Sequence, residues 1–388
     1  MVKTPIPYGH QYISEDDIRA VSDVLRSDYL TCGPKIPEFE QAFREYVGKP
    51  RYAIAVSNGT AALHLAVKAL GVRPGVRVIV TSLTFAASAN CVKYCGGDVT
   101  FCDIDPRTYL MDIDKLRAIL AGSPKGTYQG VVAVDFAGYP HNMEEMRKVA
   151  DEYGCWIIED ACHAPGAYFV DSSGEKQYTG NSRYVDATVF SFHPVKHITT
   201  GEGGMVVTNR QDIYESVLLS RSHGITRDVG RMEKNDGGWY YEMRELGFNY
   251  RLSDIHAALG ISQLKRARQN VERRRELVSR YNEAFAGDTG LLTPFESRDV
   301  HHAYHLYVIQ VEDRKGLYDF LRQRDIFAQV LYYPLHLMPY YKQFGSKEGD
   351  CPVAEEYYKH CLALPLYPTL TDEQQQYVIS NVKAFFNK

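Results

Sequence analysis

From residue 52 onward, short runs of apolar and β-branched residues alternate with amphipathic or alanine-rich stretches. The runs predict strands at Tyr52–Val56, Val76–Thr81, Val99–Cys102, Val131–Asp135, Trp156–Glu159, Ala187–Phe192 and Met205–Thr208. Several are apolar almost throughout, as strands covered on both faces of a mostly parallel sheet should be. Helix starts are readable between them. Asn142 precedes MEEMRKVADEYG with Glu145 three residues on, and Ser14 with Asp17 opens a helix carrying Ile18, Val21 and Leu25 on one face. The alternation predicts an α/β domain with its chemistry beyond the carboxyl ends of the strands.

A second regime starts near residue 253. Residues 253–286 read as one long charged helix containing KRARQNVERRR. Beyond it come a strand at Tyr304–Val311, a helix near Gly316–Gln323, a strand near Phe327–Tyr332 and a final helix after Asp372. The expected organisation is a large α/β domain over residues 1–252, N-terminal arm included. A linking helix and a smaller α+β domain follow over 253–388.

Composition narrows the function classes. The chain has 388 residues, 45% hydrophobic and 24% charged, enough for a substantial core. Forty-four basic residues against 48 acidic ones leave a formal charge of −4. That balance argues against bulk nucleic-acid or anionic-membrane binding, and the basic run at 265–275 reads as a solvated or interface face. No apolar run approaches the ~20 residues of a membrane span. The opening MVKTPIPYGHQYISEDD has no apolar signal core, so a cytoplasmic protein is expected. Eight scattered cysteines include no CxxC pair, which predicts free buried thiols and no metal site.

Three segments put unusual residue types at strand ends. Ser57-Asn58-Gly59-Thr60-Ala61-Ala62 leaves a strand and enters a helix, where small residues let an anion approach free amides; an ordinary cap at Ser57 would look the same. Trp156-Ile157-Ile158-Glu159-Asp160 ends a buried strand in a carboxylate that needs a cationic partner. By strand alternation Asp160 faces the site and Glu159 the opposite side; the partner is a protonated heterocycle or an arginine. Phe190-Ser191-Phe192-His193-Pro194-Val195-Lys196 leaves a third strand and presents a lysine before the glycine-rich TTGEGG turn. Partial burial there would lower the amine's pKa and suit Schiff-base chemistry, where a surface lysine would do nothing.

Together these segments supply what pyridoxal 5′-phosphate requires. SNGTAALHLA, SLTFAASAN, IIEDACHAPGA, FSFHPVK and TTGEGGMVVTN resemble the DegT/DnrJ/EryC1/StrS sugar aminotransferases, over essentially the whole chain. The resemblance implies an α/β, PLP-dependent fold of type I, with a large mostly parallel-sheet domain and a smaller α+β C-terminal one. It implies that Lys196 holds the cofactor aldehyde, with pyridoxamine 5′-phosphate as the intermediate form. Asp160 would pair with the pyridine nitrogen, His163 would sit near the phenolic oxygen, and Phe85 would stack on the ring. Gly59, Thr60 and Ser191 would hold the phosphate. Asn249 would reach the phosphate of a neighbouring subunit, so a homodimer with shared sites is implied. Dehydratases of the family carry histidine at the lysine position; here that position is Lys196, and a transaminase is expected.

Several segments resemble one branch of the family most: Asp28–Pro34, Ser222–Asp228, Trp239–Glu242, Leu246–Arg251 and Leu331–Tyr341. That branch moves the amino group of L-glutamate to C4 of a UDP-linked 4-keto-6-deoxy-N-acetyl sugar in pseudaminic acid biosynthesis. Its substrate contacts would map to Tyr8, Asp28, Tyr29, Leu30 and Thr31, and to Tyr332, Tyr333, Pro334 and Leu335. Leu331 stands where many members are expected to carry histidine. In His301-His302-Ala303-Tyr304-His305 the i, i+4 pair could bind metal on a helix, but the segment reads as strand, and His305 is taken as substrate-facing. Rival readings are the same chemistry on a GDP- or dTDP-linked sugar, and a cofactor-binding regulator suggested by the faintly helix-turn-helix-like DIHAALGISQLKRARQN.

Overall fold

The computed structural model of the chain describes residues 5–287 and 290–386. All seven predicted strands form, and they lie in one sheet. In spatial order they are Tyr52–Val56, Gly204–Thr208, Ala187–Ser191, Trp156–Asp160, Gly130–Val134, Arg77–Thr81 and Asp98–Cys102. Neighbours run parallel except Gly204–Thr208, which is antiparallel to both of its neighbours. Gly130–Val134 and Gly204–Thr208 are buried at every position, which explains why the pattern there is apolar rather than alternating.

Alternate residues of these strands feed opposite cores. Val56, Val78, Val132, Ile158 and Val206 pack with helix Gly59–Ala69 on one face. On the other, Ile79, Val131 and Ile157 meet Met146 and Val149 of helix Met143–Tyr153. Beside them Phe39, Phe43, Phe190 and Phe192 pack edge to face, with Phe43 5.3 Å from Phe192 and 4.9 Å from Phe190. Burying each such ring is worth about 2–3 kcal/mol, and this cluster underpins the loop that follows Ser191. The predicted starts are present: Ser14 and Asp17 close a capping box, and Asn142 accepts the Glu145 amide. Each cap contributes ~1 kcal/mol.

Four expectations need correction. Residues 253–286 form two helices, Asp254–Leu264 and Ala267–Phe285. The chain turns at Arg266, whose guanidinium is anchored by Asp17 and the Tyr12 carbonyl of the N-terminal segment. The first helix contributes Ala257 to the large-domain core beside Phe39, and the second contributes Leu277 and Tyr281 to the C-terminal core. On helix Glu15–Leu25 it is Val24 that is buried, while Ile18 and Leu25 are more than half exposed. The strand expected from Tyr304 starts at Tyr307, because Tyr304 has a φ of +48° and turns the chain. The strand expected at Phe327–Tyr332 shrinks to Ile326–Phe327, paired in parallel with Ile6–Pro7. Ile6 accordingly packs in the C-terminal core, alongside Leu317, Leu321 and Val378.

Strands Tyr307–Gln310 and Cys361–Leu364 form an antiparallel pair in that C-terminal unit, flanked by helices Arg314–Arg322 and Asp372–Phe386. No helix among the described residues is long and apolar enough to cross a membrane. All eight cysteines are free thiols.

Candidate active site

Because the parallel strands run one way, their carboxyl ends share an edge, and four loops converge there. The loop after Tyr52–Val56 enters helix Gly59–Ala69 through Asn58, not Ser57; its side chain accepts the Ala61 amide at 2.8 Å. Gly59 and Thr60, at the first positions of that helix, have no intrahelical acceptor for their amides. A Cβ on Gly59 would sit 2.9 Å from Ser191 Cβ, so glycine keeps this cradle open between two loops. The loop after Arg77–Thr81 presents Thr84 and Phe85, and Ser88 follows in the first turn of helix Ala87–Tyr94. Strand Trp156–Asp160 ends on Asp160, followed by Cys162 and His163.

The loop after Ala187–Ser191 breaks at Pro194 and turns back through the Lys196 amide, 2.9 Å from the His193 carbonyl. Thr199 Oγ1 then donates to the Phe192 carbonyl at 3.2 Å, and the Phe192 amide to the Gly203 carbonyl at 2.8 Å. Pro194, Thr199 and Gly201, whose φ is +81°, thus shape the turn that aims one lysine at the strand ends.

These loops enclose a cavity of about 730 Å³. Tyr8, Gly59, Thr60, Phe85, Asp160, His163, Ser191, Lys196 and Tyr332 all line it, as does Leu331. Burial lowers the Lys196 amine below the usual lysine value, with Cys162 and Asp160 opposing the shift. Burial also holds His163 neutral, with Lys196 and His197 adding to the effect. Its Nε2 is 3.4 Å from the Tyr332 hydroxyl, and its Nδ1 is buried without a partner among the described residues. Glu159 does point away from the cavity: it accepts Thr188 Oγ1 at 2.7 Å, and burial beside Asp135 pushes it up to about 8.

Other candidate residues lie elsewhere. His305 is no part of the cavity wall; it is buried behind His163, ring centroids 4.3 Å apart, because Tyr304 turns the chain inward. His301 stacks on Tyr168 and meets Glu272 at 3.3 Å, and among the described residues no group of three or more potential ligands could hold a metal ion. Tyr333 packs on Tyr358, while Pro334 and Leu335 are buried, the latter's amide bonded to the Ser82 carbonyl. Asp28, Tyr29, Leu30 and Thr31 are exposed beside helix Asp254–Leu264, and Asn249 is exposed, its backbone bridged to Ser222.

Sequence reasoning missed Ser88, Tyr94, Glu202 and Tyr250, which also line the cavity. Ser88 stood inside SLTFAASAN and was readable as a polar residue in a small-residue run, Glu202 stood inside TTGEGGMVVTN and Tyr250 inside Leu246–Arg251; Tyr94 carried no local signal.

The residues fit a phosphorylated pyridine aldehyde on four counts. A glycine cradle lies at a helix N-terminus, a buried carboxylate faces the cavity, and an orphaned imidazole nitrogen and a lysine of lowered pKa stand beside it. The defining pattern of the DegT/DnrJ/EryC1/StrS aminotransferase family matches residues 11–383. The chain is 38% identical to the spore coat polysaccharide biosynthesis protein SpsC of Bacillus subtilis, over 97% of this chain and 96% of that one. It is 36% identical to the UDP-4-amino-4,6-dideoxy-N-acetyl-beta-L-altrosamine transaminase of Campylobacter jejuni, over 99% and 98%. With the GDP-perosamine synthase of Escherichia coli O157:H7 identity is 32%, over 98% and 99%. Among solved structures, the PseC aminotransferase of Helicobacter pylori superposes with a TM-score of 0.89 at 28% identity, covering 99% of this chain and 100% of that one. The pyridoxamine-phosphate form of the Streptococcus pneumoniae sugar aminotransferase Spr1654 also gives 0.89, at 29% identity, covering 98% and 99%. The chain therefore belongs to the DegT/DnrJ/EryC1/StrS family and is a pyridoxal-phosphate-dependent sugar aminotransferase.

Proposed function

We propose that this enzyme transfers the amino group of L-glutamate to C4 of UDP-2-acetamido-2,6-dideoxy-β-L-arabino-hex-4-ulose, a step of pseudaminic acid biosynthesis. One observation carries the reading: a lysine amine, a buried carboxylate and a glycine cradle meet in a single cavity of about 730 Å³. That volume suits a cofactor with a sugar above it. Support for the particular sugar comes from the Campylobacter relative and the Helicobacter structure.

Pyridoxal phosphate, when bound, supplies an electron sink for charge developing at the reacting carbon. Gly59, Thr60 and Ser191 would hold its phosphate, Asp160 its ring nitrogen, His163 the phenolic side, and Phe85 the ring face. Lys196 Nζ, of lowered pKa, takes the proton from Cα of glutamate and delivers one to C4 of the sugar in the second half of the cycle. Tyr8, Leu331 and Tyr332 would face the sugar.

A second reading, the same transfer on a GDP- or dTDP-linked 4-keto sugar, is favoured by the perosamine synthase relative. Loaded enzyme is supplied with glutamate and each of the three nucleotide sugars, and products are followed by NMR. The UDP-linked arabino-ketose is expected to be aminated at least ~10-fold faster than the others, the margin a site built to bond one nucleotide gives. Turnover of the GDP sugar alone would replace the reading.

Asn249 and residues 28–31 lie outside this chain's own cavity, and we propose that a second copy brings Asn249 to the phosphate. Co-refolding Lys196→Ala with Asn249→Ala tests this. Restored activity above the sum of the two variants is expected, since one hybrid site keeps both residues; strict additivity rejects the shared site.

A further inference from the structure

Asp160 does not meet the cavity alone. Its Oδ2 accepts the Ser88 hydroxyl at 2.7 Å, and Ser88 Oγ lies 2.8 Å from Thr84 Oγ1. Hydrogen accounting orders this chain. An ionised carboxylate only accepts, so the single Ser88 proton goes to Asp160, and the Thr84 hydroxyl must donate to Ser88. The other carboxylate oxygen, Oδ1, accepts the Cys162 amide at 3.2 Å. Both oxygens are therefore tied, one from the first turn of helix Ala87–Tyr94 and one from the turn after Asp160 itself.

Ser88 and Thr84 are each about 1% exposed. Buried hydroxyls of this kind would need partners in any case, but here neither is used to cap helix Ala87–Tyr94, which starts without a side-chain cap. The two are four residues apart across the helix start, so one backbone turn sets the spacing of the relay. Low local dielectric strengthens each bond in such a chain, because each donor polarises the next.

We propose that Thr84 and Ser88 form a hydroxyl relay that fixes the rotation of the Asp160 carboxylate, and through it the tilt of the cofactor ring. Ser88 is the positioning residue and Thr84 its support. The inference rests on the assignment of Asp160 to the pyridine nitrogen.

The test titrates apoprotein with pyridoxal phosphate and follows affinity together with the induced circular dichroism of the bound cofactor, which reports ring orientation. Ser88→Ala weakens binding ~10-fold, as loss of one charge-assisted hydrogen bond predicts, and diminishes the dichroic band. Ser88→Thr, which keeps the hydroxyl, restores both to near the parent values. Thr84→Val, close to isosteric, keeps the fold and loses about 3-fold. Melting of the apoproteins is measured beside them, so that a merely structural loss is visible. Parent-like affinity and dichroism in Ser88→Ala and Thr84→Val, beside a large loss in Asp160→Asn, overturns the relay. Parent-like behaviour of Asp160→Asn as well would remove the assignment beneath it, and the relay with it.

Discussion

Lys196→Ala is expected to lower amino transfer by at least ~10³-fold while leaving the fold intact. Positioned acid–base groups contribute about 10²–10⁴-fold, and this residue would also anchor the cofactor aldehyde, so both contributions vanish together. The fold survives because the turn is held by backbone contacts, the Lys196 amide to the His193 carbonyl among them, which the substitution does not touch. Steady-state turnover and a thermal melt check the two halves of the statement, and substantial residual turnover rejects the assignment. The same amine has a pH signature. Burial lowers its pKa from 10.5, and only the neutral amine attacks an aldehyde. Capture of pyridoxal phosphate by the apoprotein should therefore speed up with rising pH and level off at a midpoint below 10.5. A midpoint at or above the ordinary lysine value contradicts a buried amine.

Asp160→Asn should cost about 10²–10³-fold in kcat, the scale on which removing one preorganised electrostatic partner acts. The substitution keeps the shape but leaves one acceptor oxygen where the carboxylate has two, so the negative charge goes and only one of the Ser88 hydroxyl and the Cys162 amide keeps its acceptor. Asp160 ends a strand paired on both sides, to Val134 and to Val189, and a negative charge held there persists without reorganisation during the reaction. Single-turnover mixing with glutamate, read by the conversion of the bound cofactor to its amine form, isolates this half of the cycle. A loss confined to KM would mean that Asp160 binds substrate rather than tuning the cofactor.

Legibility in the sequence followed the range of the interactions. The sheet strands were visible because most are buried on both faces and so must be apolar along nearly their whole length, and the ends found differ from those expected by at most one residue. Asp160, Lys196 and Gly59 stood out because chemistry-bearing residues at the ends of apolar runs have no packing reason to be there. Ser88 and Tyr250 stand in legible motifs but their roles do not show there, because a serine in an alanine-rich run and a tyrosine after Asn249 find their partners far along the chain, Asp160 for one and His64 for the other. His305 was misplaced for a related reason. Its strand-like neighbourhood hid the positive φ at Tyr304, and a backbone turn set by packing sent the imidazole behind His163.

The sequence by itself determined the α/β architecture, the strand ends that carry the chemistry and the family, because periodicity and local motifs encode them within a few residues. Tertiary structure alone decided that the 253–286 segment bends at Arg266, that Ile6 joins the C-terminal core, and that Asp160 is held by two hydroxyls in series. Those features depend on contacts between residues tens to hundreds of positions apart. No local pattern records such contacts, since each becomes favourable only when the rest of the core has already brought its partners together.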